Sequence, residues 1–443
     1  MVNTAPGGQS NDTKEMLLRE KIERKHGKPV EKLYEEREKR INDTVELKEP
    51  DRIPVSLSTG IFAARYRGLT ASAIYYNQNA YRDACEKMIL DFEPDLCWAT
   101  GTFISGLVLE LLDSKYQRWP GGNLPTDVAY QYVEGEYMKA EEYDLFLSDP
   151  SDFMLRYYLP RLYGSLAPLS GFIPFRSLVG GYGLNSLISS FISPEFRRMA
   201  NKLVKAAQEQ ERLRKKSADF IEKLARLGFP SEQPGRSIGS APFDTVSDYL
   251  RGMRGSMLDM YRCPDKILAA CDKILEWRIT QAIPADLKSR GKTKWQGMPL
   301  HRSSDGFMSL KQFDKFYWPT LKKAILFDIN LGYVVLLVCE GIWNERLEYL
   351  LELPKGKVVC AFEKTNMFKA KDVLGGHLCI QGNVSPALLE FGSTQDVEDY
   401  CKKLIKVCGK DGGFILSPAS AIDEAKPENI RAMVESVKKY GTY

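Results

Sequence analysis

A repeated alternation of short apolar runs and longer amphipathic segments constrains the fold of this chain most strongly. Four such units follow one another between residues 333 and 440. The apolar runs have the length of buried strands, and the segments between them have the periodicity of helices. Strands that alternate with helices form parallel sheets. The pattern therefore predicts an α/β fold. Right-handed crossovers and the number of units favour a closed (β/α)8 TIM barrel over an open doubly wound sheet.

The predicted elements extend this pattern over most of the chain. The predicted strands are 53–57, 96–101, 237–242, 295–300, 334–339, 358–362, 378–381 and 414–416. The predicted helices are 264–282, 310–331, 394–408 and 427–440.

The sequence also predicts how the chain is divided. Residues 1–45 are expected to form a flexible tail and a charged helical extension, and residues 46–443 the barrel. Two excursions interrupt the barrel pattern. Residues 110–165 are rich in Tyr, Pro and Gly and are expected to form a lid or a homodimer surface. Residues 193–236 read as a strongly charged helix.

Composition and charge exclude several classes of partner. The 443 residues include 62 basic and 58 acidic side chains, a net charge of +4. No basic block interleaved with aromatic residues occurs, so nucleic acid is not an expected partner. No apolar run approaches the ~20 residues that span a bilayer, and the first fifteen residues are polar. We therefore expect a cytoplasmic protein without membrane association. Nine scattered cysteines agree with a reducing compartment.

Polar residues follow five successive predicted strands. In parallel barrels the reactive groups collect at the carboxyl ends of strands, so these residues are the candidate site. Glu340 and Glu363 are expected to face one opening from neighbouring strands, where like charges raise at least one pKa and keep a proton donor protonated. The candidates are His301, Arg302, Asp305, Glu340, Trp343, Glu363, Asn366, Gln381, Asn383, Ser417 and Ser420.

Cysteines near three successive strand ends raise the question of a metal site. Cys339, Cys360 and Cys379 recur there, and His377 lies two residues before the last of them. Tetrahedral zinc needs convergent ligands, and the sequence shows no established ligand spacing. We therefore expect no metal at these residues.

Four motifs of this chain resemble the uroporphyrinogen decarboxylase superfamily. They are DRIPV at 51–55, GNVSP at 382–386 followed by GST at 392–394, GGFILS at 412–417 and KPENIRAM at 426–433. The resemblance covers residues from about 46 to 443 and is strongest over 333–440. It implies a (β/α)8 barrel with the active site at the strand carboxyl ends. The superfamily comprises porphyrinogen decarboxylases and methyltransferases that exchange methyl groups with corrinoid proteins.

Departures from the family patterns indicate which branch this chain resembles most. The R-Q-A-G-R-Y loop of decarboxylases, which holds substrate carboxylates, is replaced by SLSTGI at 56–61, and their late G-H-G-I by ASAI at 419–422. The aspartate of the second strand loop is also missing. The zinc motif H-x-C-G and the late cysteine of the thiol-directed methyltransferases correspond to Val338, Glu340 and Ser420. Zinc is therefore not expected.

The resemblance thus implies a zinc-independent, corrinoid-dependent methyltransferase. It would move a methyl group between a corrinoid on a partner protein and a small molecule such as tetrahydrofolate, an ether or an amine. Glu340 is expected to act as general acid and base, and Glu363 to tune it or to bind substrate. The other candidates are expected to bind or orient the small molecule, with Trp343 stacking on a flat ring such as a pterin.

Two alternatives remain open from the sequence. The first is a decarboxylase-like lyase that acts on a different carboxylated substrate. The second is a non-catalytic relative that kept the barrel and binds a tetrapyrrole or a partner protein.

Overall fold

The computed structural model describes residues 11–98, 105–231, 240–281 and 294–443. Its strands are β1 (Ser56–Ser58), β2 (Leu96–Trp98), β3 (Gln117–Arg118), β4 (Gln131–Tyr132), β5 (Trp295–Leu300), β6 (Val334–Cys339), β7 (Val358–Phe362), β8 (Cys379–Val384) and β9 (Phe414–Pro418). All of these except the hairpin β3–β4 belong to parallel sheets.

Helices connect and cover the strands. They are α1 (Asn11–His26), α2 (Val30–Val45), α3 (Gly60–Tyr66), α4 (Ala73–Tyr76), α5 (Gln78–Phe92), α6 (Gly106–Leu112), α7 (Tyr143–Ser148), α8 (Pro150–Phe153), α9 (Leu159–Leu162), α10 (Leu184–Ser190), α11 (Pro194–Arg226), α12 (Pro242–Asp244), α13 (Gly252–Arg262), α14 (Pro264–Gln281), α15 (Leu310–Gln312), α16 (Trp318–Asn330), α17 (Met367–Leu374), α18 (Pro386–Phe391), α19 (Thr394–Cys408) and α20 (Pro427–Tyr440). Three π-helical segments, Met154–Tyr158, Thr245–Arg251 and Phe313–Tyr317, continue such helices. Within the described residues, no helix is both long and apolar enough to cross a membrane.

The parallel strands follow one another as the barrel prediction requires. Strands β5 to β9 pair in chain order, and a bridge between Val55 and Leu416 joins β9 to the pair β1–β2. Beyond β2, a bridge joins Cys97 to Ser231. The first and last strands of this series, β5 and β2, approach each other, because the rings of Trp295 and Trp98 lie 5.4 Å apart. Of the strand predicted at 237–242, residues 237–239 lie outside the described residues and Pro242 begins α12, so the closing strand pairs are not described.

The strand side chains alternate between two apolar layers. One cluster takes one residue from each of six strands, namely Leu96, Trp295, Leu336, Val359, Cys379 and Ile415. These residues form the inner face of the curved sheet. Ile41 and Val45 of α2 join the same cluster, so α2 lies across the amino-terminal end of that face. The alternate residues of the strands pack outward against the helices in the main core.

Most of the predicted elements are confirmed. The strands 295–300, 334–339 and 358–362 and the helices 394–408 and 427–440 match at both ends. The last two strands run further than predicted, to Val384 and Pro418. The strand predicted at 53–57 is displaced and covers Ser56–Ser58, and of 96–101 the structure describes a strand at 96–98.

The N-terminal helices are tied to the sheet by buried charges. Asp95, fully buried immediately before β2, accepts hydrogen bonds from Arg40 of α2 at 2.5 Å and from Arg52 at 2.7 and 2.8 Å. Ile22, Val30 and Leu33 of α1 and α2 enter the main core. Of the charged helix predicted at 193–236, α11 covers Pro194–Arg226, whereas residues 232–236 and most of the predicted tail lie outside the described residues. The division at residue 45 stays a prediction.

Candidate functional site

Strand register brings three predicted residues to one level at the carboxyl ends of the sheet. Leu300 pairs with Cys339, and Cys339 pairs with Phe362. The residues that follow these positions are His301, Glu340 and Glu363. They continue the alternation of the inner face, because Leu336 and Val359 lie in the inner cluster an even number of residues earlier. The opening at this end of the sheet is therefore lined by an imidazole and two carboxylates.

His301 lies between two carboxylates in this opening. Its Nε2 is 3.5 Å from Glu340 Oε1, and its Nδ1 is 2.5 Å from Asp248 Oδ2. Arg302 also reaches Asp248, with Nη2 2.9 Å from Oδ1. The second glutamate, Glu363, accepts a hydrogen bond from the Gly341 backbone N–H at 2.7 Å, which positions the loop that follows Glu340.

A fully buried aspartate holds the backbone of the same loop. Asp244 accepts hydrogen bonds from the backbone N–H groups of His301, at 2.9 Å, and Arg302, at 3.1 Å. It also accepts one from the Tyr317 hydroxyl at 2.7 Å. Asp244 ends α12 and Asp248 lies one turn further along, so the same helical segment orients both the backbone and the ring of His301.

The charges around His301 set the protonation states of the opening. The hydrogen bond that the His301 ring donates to Asp248, with the charges of Glu340, Asp248 and Asp244, raises the pKa of His301 to about 9, although burial opposes this shift. Partial burial and the neighbouring charges of Glu363 and Asp248 raise the pKa of Glu340, while His301 opposes that rise. Burial and the charge of Asp248 raise the pKa of Asp244 to about 7.

This arrangement can deliver and accept a proton at the opening. At neutral pH the His301 ring is protonated, because its pKa lies near 9. Asp248 fixes the ring through Nδ1, so Nε2 points to Glu340. The protonated Nε2 and the Glu340 carboxylate, 3.5 Å apart, can give a proton to or take one from an atom bound beside them, which is what a general acid and base require.

Asp244 and Asp248 were not among the predicted residues. Both follow the predicted strand 237–242, but Pro242 begins α12 instead of ending a strand. Two aspartates four residues apart on a helix are ordinarily exposed or capping residues. The only available sign in the sequence was their position directly after a predicted strand end, which is where the other candidates were sought.

Three predicted residues contribute to the inner face or hold its loops. Gln381 is buried, and its Oε1 has no hydrogen-bond partner among the described residues. Asn383 donates to the backbone oxygens of Glu363 and Thr365 and accepts from the Tyr400 hydroxyl at 2.8 Å, so it fixes the loop after β7. Ser417 pairs in register with Asn383 and donates to the Pro418 carbonyl at 2.9 Å.

Four predicted residues have contacts other than those expected of substrate-binding residues at the opening. Trp343 is fully buried with its ring edge-on to Phe313 at 5.8 Å, so the expectation that it stacks on a flat substrate ring is wrong. Asp305 pairs with the buried Arg346, and the exposed Asn366 caps α17 by accepting from two backbone N–H groups. Ser420 lines a separate cleft with Arg65, Asp127 and Glu424.

The three cysteines near the strand ends do not point to one common site. Cys379 faces the inner cluster, whereas Cys339 and Cys360 pack in the outer core. Burial raises the pKa of all three thiols, which keeps them protonated. Over the described ranges, no group of three or more His, Cys, Asp or Glu side chains is arranged to hold a metal ion.

The tyrosine-rich excursion lies against the opening. The Tyr132 hydroxyl donates to the backbone oxygen of Asp248 at 2.6 Å, and its ring lies 6.0 Å from that of Tyr249. The roles of a lid and of a homodimer surface that the sequence suggests for residues 110–165 stay predictions.

Comparison with known proteins shows the family. The family model "Uroporphyrinogen decarboxylase (URO-D)" matches residues 192–440. The uroporphyrinogen decarboxylase of Syntrophotalea carbinolica is 24% identical over 224 residues, which are 49% of this chain and 63% of that protein. That of Geobacter sulfurreducens is 25% identical over 226 residues, with the same shares. The chain thus matches less than two thirds of the length of these relatives.

A solved structure extends the likeness over almost the whole chain. A methyltransferase from Methanosarcina mazei superposes with a TM-score of 0.55 at 15% identity, covering 91% of this chain and 98% of that one. This likeness concerns the fold. The chain belongs to the uroporphyrinogen decarboxylase family, as the motifs predicted, and it has the α/β fold of that family.

Proposed function

We propose that this protein is a methyltransferase that moves a methyl group between a small molecule and a corrinoid held by a partner protein. The observation that carries the proposal is the row Asp248–His301–Glu340 at the carboxyl ends of β5 and β6. The likeness to a solved methyltransferase and the family motifs support it.

The row supplies the proton that such a reaction needs. When a methyl group leaves an ether oxygen or an amine nitrogen, that atom keeps the electron pair of the broken bond and must be neutralised. His301 or Glu340 donates a proton to it, and in the reverse direction the same pair takes the proton back. The corrinoid, when its partner protein is bound, supplies the centre that exchanges the methyl group.

The remaining residues position the reacting atoms. Asp248 holds the ring of His301, and Asp244 holds its backbone. Gln381 offers an unpartnered amide oxygen on the inner face, where it can accept a hydrogen bond from a bound small molecule. Tetrahydrofolate stays one candidate for that molecule, without the stacking role first expected of Trp343.

The charge of the opening argues against a polycarboxylate substrate. The cations described around the opening are His301, Arg302 and Lys364, and the carboxylates are Asp244, Asp248, Glu340 and Glu363. His301 and Arg302 are engaged with Asp248, and Lys364 lies 3.7 Å from Glu363. Each of these cations therefore already has a carboxylate partner within the protein. Decarboxylation of a porphyrinogen is therefore the less favoured alternative.

The test follows the cobalt absorption bands of a corrinoid protein. The purified protein is mixed with reduced or methylated corrinoid protein and with methyl ethers, methylamines or methyltetrahydrofolate in turn. Methyl transfer that requires this protein and is lost in Glu340→Gln supports the proposal. No spectral change with any donor would contradict it. Carbon dioxide release from a carboxylated substrate would favour the lyase, and ligand binding without turnover the non-catalytic relative.

A further inference from the structure

The inner face of the sheet is only partly filled toward the carboxyl ends of its strands. In β5, β6 and β7 the outward-facing residues are buried, whereas inner residues of the same strands keep surface that water can reach. Layers of bulky side chains ordinarily fill the interior of a closed parallel barrel. A space is therefore left here, which we call the inner well. Its walls are the half-buried residues Gly297, Pro299, Val338, Ala361 and Trp98.

Gly297 marks the depth of the inner well. Among the described residues, a Cβ placed on Gly297 meets no atom within 4 Å. Gly297 pairs in register with Leu336, and Leu336 pairs with Val359. Both of these partners belong to the buried inner cluster, so Gly297 is a gap in an otherwise closed layer. It precedes His301 by four residues, which is about 13 Å along an extended strand.

The inner well opens toward the acid–base pair. Val338 and Ala361 each lie two residues before a carboxylate of the opening, Glu340 and Glu363 respectively, and therefore on the same face of their strands. Helix α2 covers the opposite end of the inner face. A small molecule that reacts beside Glu340 can thus extend from the opening into the interior of the sheet.

The walls of the well favour an apolar group. Pro299, Val338 and Ala361 present aliphatic carbon, and Trp98 presents an indole ring. None of the five lining residues carries a titratable side chain. Gln381 pairs in register with Ala361 and adds an amide to one wall. An unpaired charge in such a space would lose its hydration without a compensating ion pair.

We propose that the inner well holds an uncharged apolar group of the methyl donor, and that Gly297 sets how long this group can be. The inference rests on the proposed function, in which the atom that loses the methyl group lies beside His301 and Glu340. The substrate class is then a methyl ether or methylamine whose second substituent is a hydrocarbon chain or ring. Gly297 is a specificity-determining residue in this proposal, because it leaves room where any other side chain would fill the well.

The test is calorimetric titration of the full chain with methyl n-alkyl ethers, from methyl propyl to methyl heptyl ether. The affinity is expected to rise about fourfold for each methylene group that enters the well, and to stop rising once the well is full. Gly297→Leu should move this limit to an ether about three carbons shorter and weaken binding of the longest ether by about 10-fold or more. Gly297→Ala is a gentler variant and should move the limit by about one carbon.

A matched control separates filling of the well from the general effect of a new side chain. Gly171 also has room for a Cβ, but it is exposed and lies outside the sheet. Gly171→Leu should leave the series of affinities unchanged. The melting temperature provides a second readout. Because the added side chain of Gly297→Leu enters an open space, the variant should melt at or above the wild-type temperature. A fall of several degrees would show that the space is already occupied.

The titration needs no corrinoid protein, so it is judged separately from the proposed function. Equal affinity for all of the ethers would overturn the inference, as would a length limit that both Gly297 variants leave in place. Methyl transfer without any dependence on chain length would also overturn it and would leave the proposed function intact. A length-dependent series without methyl transfer would contradict the proposed function, while the well would keep its role as a site for an apolar ligand.

Discussion

His301 Nε2 lies 3.5 Å from Glu340 Oε1, across the gap between two adjacent parallel strands. The pairing of Leu300 with Cys339 makes this contact, because it places the next residue of each strand side by side. Neither side chain is fully buried, so the pair is accessible from the opening and still partly removed from water. Its properties can be tested one group at a time.

Glu340→Gln should abolish most of the turnover without unfolding the protein. The glutamine cannot exchange a proton with His301, and loss of a general acid or base typically costs about 10²–10⁴-fold in rate. The measurement is kcat for methyl transfer together with the melting temperature. Glu345→Gln is the matched control, since Glu345 lies in the same loop and pairs with the exposed Lys369. Equal loss in both variants would contradict the assignment.

Asp248→Asn should move the alkaline limit of activity to lower pH. The hydrogen bond to Asp248 raises the pKa of His301 to about 9, so the protonated donor is lost only as the pH rises through that value. Without the carboxylate the limit should shift by about one pH unit or more toward acid. The pH profile of kcat/KM measures this. An unshifted limit would show that His301 does not control the rate.

The raised pKa of His301 also makes the stability of the fold depend on pH. His301 has a higher pKa folded than its ordinary 6.5, so its contribution is fully present below pH 6.5 and is lost as the pH rises through about 9. Urea unfolding of the wild type should therefore show a decline in stability over that window, and Asp248→Asn should show a smaller one. A decline of equal size in both proteins would refute this origin.

Gln381→Leu should raise KM while leaving kcat nearly unchanged. The Oε1 atom of Gln381 has no partner among the described residues, so the fold loses no hydrogen bond in the variant. A bound substrate would lose one, which is worth about 1 kcal/mol, or several-fold in KM. Ser417→Ala is the control, because that hydroxyl donates to the next residue of its own strand. An unchanged KM would remove Gln381 from the site.

Asp95→Asn should destabilise the fold by about 3–5 kcal/mol, because it leaves buried arginine charge without its partner. Arg40 and Arg52 both contact this carboxylate. Asp51→Asn is the control, since Asp51 bonds the same Arg40 but its side chain is 64% exposed, and such pairs contribute about 0–1 kcal/mol. Urea unfolding compares the two. Similar losses would mean that Asp95 does not anchor α2.

The sequence predicted the strands well where they are continuous apolar runs. β5, β6 and β7 are covered by helices on the outside and closed by side chains on the inside, so nearly every residue is apolar and the ends are sharp. β1 and β2 are only three residues long, and their ends carry little signal. Their limits depend on tertiary contacts such as the bridge from Val55 to Leu416.

The sequence predicted the site residues that follow strand ends and missed those that lie on helices. Glu340 and Glu363 follow sharp strand ends, whereas Asp248 lies on a helix, where an acidic residue is ordinary. The prediction for Trp343 was wrong because polar residues follow it in the sequence, and only the packing of Phe313 against it shows that the ring is covered. Helix α16 and strand β6 separate Phe313 from Trp343 in the sequence, so the sequence does not show that contact.

Helix α2 closes one end of the inner face, because Ile41 and Val45 fill the end that lies farthest from Glu340. Among the described residues, the carboxyl-terminal end of the inner face is therefore the side from which a small molecule can reach that glutamate. In the proposed methyl transfer, a corrinoid protein docked over that end would enclose the small molecule. Loading and unloading would then alternate with docking, and saturating amounts of partner should slow the reaction.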